Sequence, residues 1–307
     1  MRLSYRRMLG KNEDGNAIIL VALAMGAMLA MIGLVIDGGN LFVSQSHLQK
    51  TANAAALSGA QEIVNSQAAV DEVVNEILDS HHELESLSQA SIEGNNKLHI
   101  ELTKDIPLFF ASLFGVESIP ITVNAKAGLV PIGEAKGAVP LGIHESVQLV
   151  YGQTYELKVD AGDSVSGNFG VLALDGPGAK AYRETLTYGF DENLNVGDII
   201  NTQTGNIAGP TRDGINYRIA NCPNPNGDYE QRDCERIMLV IVYKPHETKN
   251  NKMNSVEVTG FAYFYVTQQM GQNDASVKGI FIKRTGPGMN GEGNPLDRGA
   301  YAIKLEK

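Results

Sequence analysis

The sequence contains few of the residues from which metal centres are usually built. It has only two cysteines and six histidines in 307 residues, and no H-E-x-x-H or H-x-H arrangement occurs. Cys222 and Cys234 do not have the C-x2-4-C spacing of a zinc site and have no histidine between them. His81 and His82 are adjacent, so on a helix they face about 100° apart, which indicates a surface helix end rather than a metal pair. We therefore predict no metal site.

Motifs of catalysis and cofactor binding are equally scarce. No G-x-S-x-G nucleophile elbow occurs. The glycine-rich stretches "DGPGAKA" (residues 175–181) and "GNIAGPT" (residues 205–211) lack the G-K-[ST] ending of a phosphate loop and are interpreted as turns. Residues 191–198, "DENLNVGD", are rich in oxygen-bearing side chains, but Gly197 falls one place late for an EF-hand, which favours a solvated loop over a calcium site. We predict a chain that is not an enzyme and binds no cofactor; a membrane-anchored enzyme is the weakest alternative.

Acidic residues outnumber basic ones, and the net charge is distributed unevenly along the chain. The formal net charge is −10, but residues 1–16 carry +2, so the remainder carries −12. An acidic body has no electrostatic attraction for a phosphate backbone. The composition therefore excludes nucleic acid as a partner of the body.

The longest feature that is present is an uncharged run, residues 17–36. Twenty residues at about 1.5 Å each form a helix of roughly 30 Å, the thickness of a hydrocarbon core. A secretory signal has a shorter apolar region, about 7 to 15 residues, followed by a small-x-small cleavage site; Asp37, Gly38 and Gly39 follow here. The run is therefore predicted to be a permanent transmembrane helix that contacts the lipid bilayer.

The flanking charges predict the orientation of this helix. Positive residues precede it and Asp37 is the first charge after it, so the positive-inside rule places the leader, residues 1–16, in the cytoplasm and the rest outside. Ala22, Gly26 and Ala30 form a small-xxx-small face that favours homo- or hetero-oligomers through helix packing. The alternative is that they are simply small residues in an alanine-rich span.

Helical spacing continues beyond the membrane. Apolar or small residues recur mostly every three or four positions from Leu41 to Ile63, which predicts an amphipathic stalk. Gly38 and Gly39 each cost about 1 kcal/mol against alanine in a helix interior, so a bend at the membrane exit is the alternative to a straight helix.

Taken together, "GNAIILVALAMGAMLAMIGLVIDGGNLFVSQSHLQKTANAAALSGAQEI", residues 15–63, resembles the N-terminal domain of Tad/Flp pilus-assembly proteins of the TadG-like type. The positions that carry the resemblance are Gly15, Asp37, Leu48, Gln49, Ala52, Ala54, Ala55, Ala56 and Leu57. Residues 100–129, "IELTKDIPLFFASLFGVESIPITVNAKAGL", are similar to the strand, Phe-Phe-Ala helix, Phe-Gly turn and closing strand of a TadE/TadG-like continuation to about residue 129.

The resemblance implies a non-enzymatic, single-pass bacterial membrane component of pilus assembly or anchoring. Its partners would be other pilus-assembly or pilin-like membrane proteins, and its outer domain would supply contacts. Pilin-type precursors of this class are cut after a glycine and carry glutamate five residues into the mature chain; cutting after Gly15 would place Leu20 there. This departure favours the TadG-like members. Whether the chain is cut after Gly15 stays open, and the alternative function is a membrane-anchored adhesin or ligand-binding module.

The second half, residues 135–307, differs from the first in its pattern of apolar and turn-forming residues. Short alternating runs separated by Gly, Asn, Asp and Pro predict an external β-rich domain that is sandwich- or barrel-like. It is predicted to follow a stalk helix and a small α/β unit in residues 37–130. The candidate strands are residues 147–151, 155–159, 169–174, 236–243, 256–266, 277–283 and 301–305. The run "GFAYFYV", residues 260–266, is interpreted as a buried central strand rather than an exposed adhesive surface. An even cysteine count outside the cell favours a disulfide between Cys222 and Cys234 over two free thiols.

Overall fold

The structure is a computed structural model of the chain. It describes residues 14–158, 169–203, 207–223, 229, 233–249, 252–291 and 293–306. The basic part of the predicted cytoplasmic leader, up to residue 13, lies outside the described residues, as does most of the loop between the two cysteines. The predicted fold class is confirmed: a long apolar N-terminal helix leads into a small α/β unit and then into a large β-rich region.

A single helix, α1 (Asp14–Gly59), spans 46 residues without a break at Gly38 or Gly39. Neither glycine has a neighbouring atom within 4 Å of where a Cβ would lie, so no contact requires glycine at these positions. The helix is long and apolar enough, by length and composition, to cross a membrane. The predicted stalk is thus the direct continuation of the predicted span.

The second half of α1 packs on a small α/β unit. Helix α2 (Gln67–Ser80) begins at Ser66, whose hydroxyl accepts the amide of Ala69 at 3.1 Å and so satisfies one of the unpaired N–H groups of the first turn. Strands β1 (Leu87–Glu93), β2 (Lys97–Pro107) and β3 (Ser118–Pro131) then form an antiparallel meander. Alternate residues of β2 are buried against α1 and α2, as its period of two predicts.

The described residues of the second half of the chain form eleven strands and two helices. The strands are β4 (Glu134–Ala135), β5 (Ala138–His144), β6 (Thr154–Lys158), β7 (Phe169–Val171), β8 (Leu194–Asn195), β9 (Ile199–Asn201), β10 (Ile237–Lys249), β11 (Lys252–Val266), β12 (Ser276–Ile282), β13 (Arg284–Thr285) and β14 (Ala300–Glu306). The helices are α3 (Ala179–Tyr188) and α4 (Ala208–Ala220). A seven-stranded sheet has the order β6-β12-β11-β10-β5-β7, with β9 paired to β11, and β4 pairs with β8.

The two faces of this sheet are buried in separate cores. Phe261, Tyr263 and Tyr265 of β11 lie in one core, whereas Ala262 and Phe264 lie in the other, which also contains residues of α3 and α4. The aromatic run is therefore a buried central strand, as predicted, flanked by β10 and β12. A strand covered on both faces needs apolar residues at consecutive positions, which explains its lack of alternation.

The last strand returns to the first sheet. Strand β14 pairs antiparallel with β3 and parallel with β13, so the five-stranded order is β1-β2-β3-β14-β13. The division into residues 37–130 and 135–307 stays a prediction, but the unit that carries α1 contains two strands from the end of the chain. Thr285 of β13 also donates its hydroxyl to the backbone carbonyl of Gln61 at 3.1 Å.

One predicted strand is wrong, and β5, in the interior of the large sheet, was not predicted. Residues 147–151 form no strand; their alternate apolar side chains Val147, Leu149 and Tyr151 instead pack partly buried against the sheet core. Conversely, no strand was assigned to residues 138–144, which form β5 and pair parallel with β10 in the sheet interior. Residues of β5 are buried at nearly every position, so they show no period of two.

Candidate functional site

The two halves of helix α1 have different surroundings. From Ile18 to Ile36 its large apolar side chains are exposed, whereas Leu48, Ala52, Ala55 and Ala56 are almost fully buried. An exposed apolar surface of this length would be covered by lipid in a membrane-spanning helix. The predicted packing face of Ala22, Gly26 and Ala30 is exposed along this first half, so its role in helix association stays a prediction.

The buried half of α1 approaches its neighbours closely because its contact residues are small. A Cβ placed on Gly59 would lie 2.6 Å from Cγ2 of Val74 and 2.7 Å from Cδ2 of Leu98. The alanines at 52, 55, 56 and 60 lie in the same core cluster as these two side chains. The alanine-rich segment is therefore the docking stripe that fixes α1 to α2 and β2.

Between these two halves, the carboxylate of Asp37 binds the connection between β2 and β3. Its Oδ1 accepts the amide of Phe109 at 2.8 Å, and its Oδ2 accepts the amides of Phe110 at 3.0 Å and Ala111 at 2.8 Å. These three amides lie at the start of a 3-10 helix, Ala111–Phe114, that Gly115 ends with a φ of +89°. Asp37 thus caps a short helix that lies 72 to 74 residues later in the chain.

The amide cluster also determines the charge state of Asp37. The residue is only 4% exposed, and burial acts to raise its pKa. The hydrogen bonds from Ala111, Phe109 and Phe110 outweigh that effect and lower the pKa of the carboxyl below its ordinary value. Asp37 is therefore an anion at neutral pH, held at the end of the apolar run.

Further contacts bring the β2–β3 hairpin alongside α1. Asn40 donates to the carbonyl of Pro107 at 3.2 Å, and Gln49 donates to the carbonyl of Asn124 at 2.9 Å. One turn before Asp37, a Cβ on Gly33 would lie 2.5 Å from Cγ of Phe110, so glycine at this position allows the phenyl ring to sit against the helix. The tip of the hairpin therefore points along α1 toward its apolar half.

A second buried carboxylate joins the stalk to the sheet. Glu83 is 3% exposed and accepts hydrogen bonds of 2.6 Å from both Lys104 and Ser86, while His47 of α1 lies 3.6 Å away. Burial acts to raise the pKa of Glu83, but these hydrogen bonds and the Lys104 and His47 charges together lower it. The contact connects residues from α1, the turn after α2, and β2.

Comparison with known families finds one match, and it covers α1. The Tad family, described as "Putative Flp pilus-assembly TadE/G-like", matches residues 15–62. The chain carries a Tad domain. No curated protein and no solved structure matches the chain. The TadE/TadG-like continuation to about residue 129 stays a prediction.

The Tad domain coincides with α1 and the turn that follows it, so the geometry above explains most of its motif positions. Asp37 caps the hairpin connection, Gln49 binds β3, and Leu48, Ala52, Ala55 and Ala56 form the buried stripe, whereas Ala54 and Leu57 are half-buried beside it. Gly15 lies in the first turn of α1, and the side chains around it are outside the described residues. The Tad domain therefore needs the following hairpin to bury its stripe.

The sequence does not indicate the partners of these motif residues. The amides of Phe109 to Ala111, the Gly33 contact and the Lys104 bond to Glu83 all join positions far apart in the chain. The one signal in the sequence was the uncharged stretch from Ile106 to Val116, bounded by Asp105 and Glu117. A surface connection without charge is unusual enough to indicate a covering partner.

The predicted disulfide is present. Cys222, just after α4, and Cys234, just before β10, are bonded and buried. Both sulfurs lie in the core cluster on the first face of the seven-stranded sheet. The bond therefore ties the end of α4 to the start of a central strand.

Within the described residues, no three His, Cys, Asp or Glu side chains converge in a geometry that could hold a metal ion. His81 follows the last turn of α2 and is exposed, as its sequence position indicated. Asp191 pairs with Lys136 at 2.8 Å and is solvent-exposed, but residues 194 and 195 of the predicted loop form β8, and Leu194 is buried. The glycine-rich stretches lie just before or at the start of α3 and α4, although residues 205 and 206 are outside the described part.

Proposed function

We propose that the chain is a non-enzymatic, single-pass membrane component of a Tad/Flp-type pilus apparatus, acting in assembly or anchoring. The Tad domain supports the pilus role. The observation that carries the proposal is the division of one unbroken helix into an exposed apolar half and a docked half. Such a helix transmits the position of a membrane span rigidly to the domain that follows it.

The proposed orientation has the N-terminus in the cytoplasm and the β-rich domain outside the cell membrane. Its support is the positive charge before the span and the acidic residue after it. The buried disulfide agrees with this location, since oxidising compartments preserve such bonds.

The proposed partners are the bilayer and other pilus-assembly or pilin-like membrane proteins. Within the membrane the Ala22, Gly26 and Ala30 face supports homo- or hetero-oligomer contacts, because small residues let backbones approach closely. An exposed aromatic strand would have favoured an adhesin instead, but Phe261, Tyr263 and Tyr265 are buried.

Blue-native electrophoresis of a mild detergent extract tests the partnership. We expect the chain to migrate in a complex together with pilus-assembly proteins, and Gly26→Leu to weaken that complex by filling the small-residue face. Ala24→Leu adds similar bulk about 200° away around the helix and is expected to leave the complex intact. Migration of the wild-type chain only as a lone monomer contradicts the proposal.

Intact-mass measurement of the membrane-extracted protein separates two forms of the proposal. A full-length mass supports an assembly factor or anchor. Loss of the segment that ends at Gly15 instead supports incorporation as a pilin-like subunit.

A further inference from the structure

A cluster of exposed aromatic and aliphatic side chains lies beside the outer end of the apolar run. The connection between β2 and β3, residues 108–117, is called the aromatic loop here. Leu113 and Phe114 are each 79% exposed, Phe109 is 63% exposed, and Phe110 and Val116 are also exposed. Large side chains that remain this exposed indicate a surface that meets a partner.

The position of the aromatic loop relative to α1 identifies the partner. The contacts of the hairpin follow one another along α1. Asn124 lies near Gln49, and Pro107 lies near Asn40. The amides of the loop lie near Asp37, and Phe110 lies against Gly33. From Gln49 to Gly33 the helix advances about 24 Å. The hairpin therefore descends beside the stalk and ends at the level of the last turn of the apolar run.

The chemistry of the aromatic loop matches the boundary of a bilayer. No charge occurs from Ile106 to Val116, and charges resume on both sides at Asp105 and Glu117. The hydroxyl of Ser112, the one polar side chain in that uncharged stretch, donates to the carbonyl of Phe109 at 2.6 Å. The amides of Phe109, Phe110 and Ala111 are satisfied by Asp37, which removes the cost of bringing free N–H groups toward hydrocarbon.

We propose that the aromatic loop inserts into the outer leaflet of the membrane that α1 spans, as a second contact that sets the depth and tilt of the external domain. The proposal rests on the proposed function, in which α1 is a membrane span. The apolar surface of the aromatic loop is continuous with the apolar surface of the span at Gly33, so lipid would cover both. Interfacial segments of this kind bury their apolar face about 5–10 Å into the headgroup and acyl boundary. Asp37 is the positioning residue that holds the loop at this level.

The absence of tryptophan from the chain makes a single introduced tryptophan an unambiguous depth probe. The full chain is reconstituted in phosphatidylcholine vesicles as Phe114→Trp, and its fluorescence is measured with brominated acyl chains and with aqueous iodide. Leu29→Trp in the span is the lipid control, and Tyr188→Trp, on an exposed residue of α3, is the water control. We expect Phe114→Trp to be blue-shifted, quenched by brominated lipid and shielded from iodide, as Leu29→Trp is.

The outcomes separate the two proposals. Quenching of Leu29→Trp by brominated lipid together with iodide quenching of Phe114→Trp overturns the loop insertion and leaves the anchor intact. A Phe114→Trp probe shielded from both quenchers indicates a contact between copies of the chain and also overturns it. If Leu29→Trp itself is not quenched by brominated lipid, the membrane span of the proposed function fails.

A second pair of variants tests whether α1 holds the loop. Gly33→Ala places a methyl group against Phe110, whereas Gly38→Ala adds one where no atom lies within 4 Å. Combined with Phe114→Trp, we expect Gly33→Ala to reduce quenching by brominated lipid and Gly38→Ala to leave it unchanged. Asp37→Ala, which removes the acceptor of three loop amides, is expected to act like Gly33→Ala; unchanged quenching in both overturns the positioning role.

Discussion

The close approach of α1 to the sheet can be tested with two glycines on the same helix. Gly39 and Gly59 both lie in α1, but of these two only Gly59 faces other elements. At Gly39 there is open space for an added methyl group, so Gly39→Ala gains helix propensity without a clash. At Gly59 the methyl group would lie 2.6 Å from Val74 and 2.7 Å from Leu98.

The magnitudes predict opposite signs for the two substitutions. Alanine in place of glycine in a helix interior stabilises by up to about 1 kcal/mol. An extra methyl group in a well-packed core costs about 1–3 kcal/mol. We therefore expect Gly39→Ala to raise the free energy of unfolding by about 0.5–1 kcal/mol and Gly59→Ala to lower it by about 1–2 kcal/mol.

The assay is guanidinium unfolding of the full chain in detergent micelles, followed by far-UV circular dichroism. Both variants are measured beside the wild-type chain at one detergent concentration. If Gly59→Ala stabilises the protein as much as Gly39→Ala does, the stalk is not docked at van der Waals distance and the account of the alanine stripe is wrong.

Three further predictions concern the contacts that hold the rest of the fold. Replacing Cys222 and Cys234 together by serine should lower the free energy of unfolding by about 3 kcal/mol, from the chain entropy of a loop with a separation of 12 residues; wild-type protein measured with and without reductant should show the same difference, and equal stabilities would refute it. Phe264→Ala removes a fully buried ring that packs edge-on against Phe281 and should lower the free energy of unfolding by about 3–5 kcal/mol. Phe42→Ala, at an exposed position of α1, should change it little. Similar losses of stability for the two variants in a denaturant titration would contradict the buried central strand. Glu83 has a lowered pKa in the folded chain, so its stabilising contribution is complete above the ordinary glutamate pKa and is lost as pH falls through the folded value; a plot of stability against pH between neutral and acid should be flatter for Glu83→Gln than for wild type, and parallel curves would count against the buried ion pair.

Local patterns predicted the elements whose contacts repeat along the chain. Helix α1 is predictable from two repeating patterns. One is the uncharged run, and the other is the series of small residues from 52 to 60, which recur on one side of the helix from turn to turn. Strand β2 is recognisable because Leu98, Ile100 and Leu102 alternate with less buried positions. The aromatic strand is recognisable from its β-branched and aromatic residues.

Other elements depend on partners that lie far away in the sequence. Strand β5 has no alternation because the parallel strand β10 and both cores surround it. Strand β14 carries a strand pattern, but nothing in it indicates that its partner is β3 rather than the nearer strands of the second half. Helices α3 and α4 contain poor helix formers, and Gly214 of α4 lies where a Cβ would be 3.0 Å from Leu186 of α3. Tertiary packing therefore outweighs propensity at these sites.

The candidate site was predictable in part for the same reason. The family motif drew attention to Asp37, but the groups that it binds are backbone amides, which nearly every residue has and which no sequence pattern marks. The family resemblance implies a short helix at the Phe-Phe-Ala segment, and a 3-10 helix begins at the alanine of that segment, Ala111. Its exposed side chains, and the fact that Asp37 holds it at the end of the apolar run, emerge only when the hairpin is placed beside α1.

Pilus formation on the bacterium that produces the chain tests whether the chain acts in pilus assembly from the membrane. Surface pili are counted by electron microscopy in a strain without the chain, in that strain complemented with the full chain, and in that strain complemented with a secreted form in which a cleavable signal replaces the apolar run before Asp37. We expect loss of pili without the chain, recovery with the full chain and no recovery with the secreted form. Normal piliation of the strain without the chain, or full recovery with the secreted form, would contradict a membrane-anchored role in pilus assembly.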